Sequence, residues 1–194
     1  MSVVPIYPKS RYLHFWQKAG SVENQMKILL ETFPRAGRVE WVGIRPVKHG
    51  AVAVVESVAV SEQQGLVGDH YSGRNGNRHV TLIQAEHLPV VAALTGHESV
   101  DPALLRRNIV VSGLNLLALK DHRIQLGDGV ILEITGYCHP CSRMETNLGP
   151  GGYNAMRGHG GLTARVVRGG TIQQGDAVMV LPAGQTDTER LRSS

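Results

Sequence analysis

The hydrophobic positions along the chain change their period once. Near the N-terminus, Met26, Leu29, Leu30 and Phe33 recur at helical spacing, which sets them on one face. Ser21 is placed to cap such a helix, Asn24 stands three residues on where a glutamate would be ideal, and Pro34 ends it. An amphipathic helix packed on the rest of the chain is therefore expected within residues 1–36. From Val39 onward the apolar runs are short, β-branched or alternating, and broken by turn residues. Strands are expected at 39–46, 51–60, 78–83, 108–111, 123–126, 130–135, 162–168 and 177–181. Gly127-Asp128-Gly129 marks a hairpin between two of them. Gly169-Gly170 predicts a second hairpin, from 162–168 into Thr171-Ile172, and Gly175-Asp176 turns into the last strand. Residues 86–95, closed by Gly96, and 102–107 read as short helices. Residues 65–77 and 138–161 read as loops. The second holds a helical turn near 154–157, and 146–152 read as non-helical.

Closely spaced short strands with few helices predict a mostly β fold, either a barrel or a folded-over antiparallel sheet. The alternating strand–helix order of a doubly wound sheet is missing. So are the GxGxxG and GxxxxGK[ST] segments that would cradle a dinucleotide or a nucleoside triphosphate. A chain of 194 residues, 42% of them hydrophobic, can bury one sizeable core. The division expected is a helical extension at 1–36, a β domain at 37–182 and a polar tail at 183–194.

Charge narrows the partners. The formal net charge is only +4, without a Lys/Arg block. This argues against nucleic acid, which asks for a dense basic stripe, and suits a small anionic ligand met by scattered arginines. The two cysteines are too few for a secreted disulfide scaffold. Residues 1–11 lack an apolar signal core, and no stretch reaches the roughly 20 apolar residues of a membrane span. A cytoplasmic protein without a membrane partner is expected.

Three places carry candidate chemistry. Cys138-His139-Pro140-Cys141 follows a strand and opens a glycine-rich loop close to Arg143. A thiolate there would be a soft ligand for molybdenum, zinc or copper, or a carrier of persulfide sulfur. A CxxC pair also forms redox disulfides, but thioredoxin-like use wants a helix directly after it, in a strand–helix–strand setting. Structural zinc would need His70, His79, His139 or His159 to complete the set. Two inert buried thiols are the plain alternative. Second, Arg106-Arg107-Asn108 stands at the mouth of a strand, where paired guanidinium groups can clamp phosphate; alone, it is equally a solvated turn. Third, Gly65-Leu66-Val67-Gly68-Asp69 leads toward Arg74 and Arg78. Asp69 is suited to capping the loop or orienting an arginine, and Arg78 is the better anion-binding candidate. Gly158-His159-Gly160-Gly161 reads as a lid or a plain loop.

The order of these segments resembles the MOSC domain, the C-terminal domain of molybdenum-cofactor sulfurases. The glycine loop comes first, then Arg78, Arg106-Arg107-Asn108-Ile109-Val110-Val111-Ser112-Gly113, Gly127-Asp128, Pro140-Cys141, and finally Gly169-Gly170 and Gly175-Asp176. The resemblance covers about 39–181. It implies a MOSC-type β-barrel-like fold, related to the pyruvate-kinase barrel, of the stand-alone bacterial type. It implies binding of the molybdenum cofactor (molybdopterin), or transfer of sulfur to a metal centre. Similarity to the amidoxime-reducing relatives, which carry two cysteines three apart at this place, implies Cys141 as catalytic residue and molybdenum ligand, with Cys138 a supporting or redox-protective neighbour. Arg106 or Arg107, with Asn108, would hold cofactor phosphate and pterin, and Arg78 maps to the arginine of the earlier strand. The implied activity is oxidoreductase chemistry on N-hydroxylated small molecules; the alternative is a sulfur carrier holding a persulfide on Cys141. Those relatives have an N-terminal β-barrel domain where 1–36 stand here. No Fe–S motif appears, so a protein electron donor is expected. Desulfurase chemistry needs a pyridoxal phosphate lysine in a larger domain, so a protein sulfur donor is the other expected partner.

Overall fold

The computed structural model describes residues 22–71 and 76–182. Ser21, Arg74 and the tail 183–194 lie outside the described residues. The chain divides into two compact units, Met1–Pro34 and Arg35–Ser194. In the first, helix α1 (Val22–Glu31) carries the expected helical segment, and Thr32 donates from Oγ1 to the Ile28 carbonyl (2.6 Å) at its C-terminal end.

The second unit is mostly β. Its strands among the described residues are β1 (Gly37–Ile44), β2 (Ala53–Val55), β3 (Ser57–Ser61), β4 (Gly65–Leu66), β5 (Val80–Gln84), β6 (Ile109–Ser112), β7 (Arg123–Leu126), β8 (Val130–Tyr137), β9 (Leu162–Arg168), β10 (Gly170–Gln173) and β11 (Ala177–Leu181). Seven of them close a barrel in the order β11-β7-β8-β9-β5-β6-β1, with β1 pairing back onto β11. All these pairings are antiparallel except β5 with β6. Strand β2 extends the sheet beyond β1, and β10, β3 and β4 form a separate three-stranded sheet.

The parallel pair explains two continuous apolar runs. Between β5 and β6 the chain crosses over through α2 (His87–Thr95) and α3 (Pro102–Leu105). Side chains alternate along a strand, so neighbours point to opposite faces. Ile83 and Val110 face Val91, Leu105, Met144, Leu148 and Met156 in a cluster beneath the helices. Their neighbours Leu82, Ile109 and Val111, all at 0% exposure, face the other way. With both faces covered, these strands are hydrophobic at nearly every position.

Four expectations need correction. The segment 51–60 is two strands in two sheets, because the chain leaves β1 after Val55 and joins β10 from Ser57. Alternation reads the same on either side of that switch. The 162–168 strand makes no hairpin with Thr171-Ile172: β9 pairs with β5 and β8, and β10 with β3. Residues 143–148, within the stretch expected to be a loop, form helix α4 (Arg143–Leu148), and α5 (Gly152–Ala155) comes after it. Thr146 and Asn147 are poor helix formers, but burying Met144 and Leu148, four residues apart, overrides that preference. Leu116–Leu119, outside every expected element, forms a 3₁₀ turn.

Candidate functional site

The cysteine segment leaves the end of β8 and runs into α4. Cys138 is buried and Cys141 exposed, and both are free thiols. The Cys138 N–H donates to the Gly161 carbonyl (2.9 Å). The approach is close: a Cβ at Gly160 would lie 2.0 Å from the Cys138 carbonyl oxygen, and one at Gly161 1.9 Å from that of Leu82. Glycine at 160 and 161 thus lets the 158–161 segment lie against both the cysteine loop and β5.

Arg107 locks this arrangement from inside. It is 6% exposed. It donates to the carbonyls of Gly160 (Nε, 2.7 Å), Leu105 (Nη1, 2.8 Å) and Cys138 (Nη2, 3.4 Å). Burial pushes its pKa down, opposed by the charges of Cys138 and Cys141. Arg78 is exposed and reaches the Cys138 sulfur from Nη2 at 3.9 Å.

Asn108 is fully buried and its amide is saturated. Nδ2 donates to the Gly43 carbonyl (3.1 Å) and to Asp69 Oδ2 (2.9 Å). Oδ1 accepts from Thr81 N (3.1 Å), Thr81 Oγ1 (2.7 Å) and Arg45 Nη2 (3.2 Å). It is the hub of an ion pair: Arg45 donates to Asp69 through Nε (3.0 Å) and Nη2 (3.1 Å), a two-pronged contact, and through its backbone N–H (3.0 Å). Asp69 orients an arginine, as its place in the glycine loop suggested. Burial pushes the Asp69 pKa up, but the Arg45 and Tyr71 hydrogen bonds and the Arg45 charge outweigh it and hold the carboxyl below its usual range.

The network supports an outer group of cations. Arg45 Nη1 donates to the carbonyl of Arg106 (3.4 Å), whose backbone is left-handed (φ 58) at the end of α3. Arg106 donates from Nη1 to the Gly50 carbonyl (2.7 Å). Burial lowers its pKa first, then the charges of Arg143 and Arg45; Cys141 and Asp69 oppose this. Arg143 hydrogen-bonds to His49 Nδ1 across the turn after β1. That neighbour is the main reason the His49 pKa lies below its ordinary value, followed by burial, Lys48, Arg106 and His70. Arg106 is thus within electrostatic reach of both Arg143 and the exposed thiol, while Asp69 is already engaged by Arg45.

Of the predicted site residues, Cys141 and Arg106 share this outer face, Arg78 reaches Cys138, and Arg107 and Asn108 lie inside. Sequence reading missed Arg45 and His49. Arg45-Pro46 at the end of the first strand was the only local signal for the former. The histidines do not converge: His70 Nδ1 lies 2.9 Å from the Arg45 carbonyl, His79 is buried, His139 meets Tyr137, and His159 meets the His87 ring edge-on at 4.9 Å. Among the described residues no three His, Cys, Asp or Glu side chains form a metal-ligating group. The donor set at the cysteine is one soft sulfur with guanidinium groups beside it. It fits an anionic cofactor that already carries its metal and asks for one thiolate.

A MOSC domain model matches residues 47–179, well over half of the chain. The chain belongs to the MOSC domain family. The match includes the cysteine segment and the site residues named above except Gly43 and Arg45. Solved structures similar to this MOSC domain include the YuaD protein from Bacillus subtilis (20% identity, TM-score 0.67), over 75% of this chain and 96% of that one. YiiM from Geobacillus stearothermophilus (17%, TM-score 0.63) covers 76% of each chain. YiiM from Escherichia coli (16%, TM-score 0.59) covers 77% of this chain and 72% of that one. At these identities the likeness shows a shared fold. No curated protein matches the chain at a significant level. The MOSC family is associated with molybdenum cofactor binding and related sulfur roles. No helix among the described residues is long and apolar enough to cross a membrane.

Proposed function

We propose that this MOSC domain binds the molybdenum cofactor, with Cys141 as the thiolate ligand and Arg106 and Arg143 against the cofactor's phosphate. The observation that carries this reading is the exposed Cys141 thiol within electrostatic reach of Arg106 and two residues before Arg143, both guanidinium groups pairing with no carboxylate among the described residues. Arg78, on the Cys138 side, adds a third cation for the anionic ligand. Arg107 and Asn108 act one step removed: Arg107 fixes the loop that carries the cysteines, and Asn108 fixes Arg45 and Asp69, which hold Arg106. When bound, the cofactor supplies two-electron oxygen-atom chemistry, suited to an oxidoreductase acting on N-hydroxylated small molecules with a protein electron donor. The free thiols this requires persist in a reducing compartment such as the cytoplasm. The test is molybdenum analysis with pterin fluorescence on protein purified from a cofactor-making host. We expect metal and pterin together, lost in Cys141→Ala. Neither in the parent protein overturns the reading.

The exposure of Cys141 also supports a second reading, sulfur carriage. The Cys141 thiolate would attack the outer sulfur of a donor protein's persulfide, taking that sulfur and releasing the donor thiolate. Intact-mass analysis after incubation with a cysteine desulfurase and cysteine separates the two. One added sulfur atom on the parent chain, absent from Cys141→Ala, favours the carrier; metal-dependent turnover favours the enzyme.

A further inference from the structure

We propose that the cleft beside the cysteine loop is a binding site for a small planar carboxylate, with Arg157 as the residue that takes its charge. The cleft has a volume of about 550 Å³ and is lined by His139, Pro140, Tyr153, Asn154, Arg157 and Gly158. The side chains of Arg106, Arg143 and His49 are not among its lining.

Both walls are held in place. The His139-Pro140 wall is anchored at Cys138, whose N–H and carbonyl are engaged by Gly161 and Arg107. His139 rests edge-on against Tyr137, ring centroids 6.5 Å apart. The facing wall is α5 and the turn after it. Glu145 on α4 accepts from the backbone N–H of Gly151 (Oε1, 2.7 Å) and of Tyr153 (Oε2, 2.9 Å). Those two bonds hold its pKa below the usual carboxylate range. A Cβ at Gly152 would lie 2.4 Å from the Met144 carbonyl oxygen, so α5 sits tight on α4. Such walls do not need to be ordered when a ligand arrives, which lowers the cost of binding.

The lining also states a chemistry. Arg157 is exposed, and its guanidinium has no ion-pair or hydrogen-bond partner among the described residues. Glu145, the acid close to it in sequence, is engaged with backbone N–H groups. A single planar guanidinium matches a carboxylate in two-pronged fashion. Tyr153 is 43% exposed, and with the Pro140 ring and the His139 imidazole it offers flat apolar surface. An anionic edge and a flat body therefore belong to one ligand. A phosphate ester suits the cations beside Cys141 better than this cleft with its one arginine. The binding claim stands without any cofactor. Its extension, that the cleft seats the substrate next to Cys141, rests on the proposed function.

Benzoate is the probe, added to the full-length, cofactor-free protein and followed by two-dimensional amide NMR. Saturable shifts are expected at Tyr153, Asn154, Arg157 and Gly158. Arg157→Gln should raise the Kd roughly tenfold or more, as loss of a charge-assisted hydrogen bond implies, with the rest of its spectrum unchanged. Benzamide, of the same shape without the charge, should bind weaker by a similar factor. Several results overturn the proposal: no saturable shifts, shifts centred elsewhere, an unchanged Kd in Arg157→Gln, equal binding of benzamide, or equal displacement of benzoate by inorganic phosphate. Because the protein carries no cofactor in this experiment, its outcome is independent of whether Cys141 ever ligates molybdenum.

Discussion

Arg106 and Arg107 are adjacent in sequence and opposite in role. The left-handed backbone at Arg106 separates their side chains, one toward Arg143 and the exposed thiol, the other into the protein against three carbonyls. The same contrast holds between the regions they join. Around Asn108, Asp69 and Arg45 nearly every polar group has a buried partner, so the region is a scaffold. Around Cys141, Arg143 and His49 the positive charge is only partly answered, which is why the proposed ligand site is put there. An unsatisfied buried group is costly, whereas an exposed one is solvated until something binds. Saturation therefore separates positioning residues from binding residues more sharply than residue type does.

The largest effect should come from breaking the scaffold. Asp69→Ala leaves Arg45 and the Asn108 amide without their partner, and should destabilise by about 3–5 kcal/mol in urea unfolding. Arg107→Met leaves three carbonyls without their donor. About 2–4 kcal/mol is expected, with faster amide exchange at Cys138 and Gly161. Acid should act through the same pair. Because the folded pKa of Asp69 lies below the unfolded value of about 3.9, its contribution is present above that value and is lost as pH falls through the folded pKa. Asp69→Asn should flatten this limb of the stability–pH curve, and an unchanged limb would show that the acid sensitivity lies elsewhere. On the outer face, Arg106→Gln should change stability by no more than about 1 kcal/mol yet remove most of the cofactor retained on purification. The smallest effect is spectroscopic: Arg143→Gln should let the His49 pKa rise toward its ordinary value, read by NMR titration, with stability altered by less than about 0.5 kcal/mol.

Much of the barrel was legible in the sequence because strand period is local. The hairpin at Gly127-Asp128-Gly129 and the last strand 177–181 stand where the pattern put them. The false hairpin after β9 shows the limit, since a glycine pair marks a turn but not which strand the chain pairs with next. Helix α4 shows another: Thr146 and Asn147 and the glycines that follow favour irregular backbone, and burial of Met144 and Leu148 in the cluster with Ile83 and Val110 favours the helix. At the site, the thiol and the arginine pair stood out by type and spacing, whereas Arg45 and His49 did not, since their partners lie 24 and 94 residues away.

By itself the sequence determined the mostly β class and the order of segments shared with MOSC domains, and it singled out the cysteine loop as the candidate site. Each rests on residue type and short-range spacing. The tertiary structure decided which cysteine meets solvent, which of two adjacent arginines is occupied, and that Asn108 is a hub. Those properties depend on burial and on pairing between distant segments, and neither exists until the barrel closes.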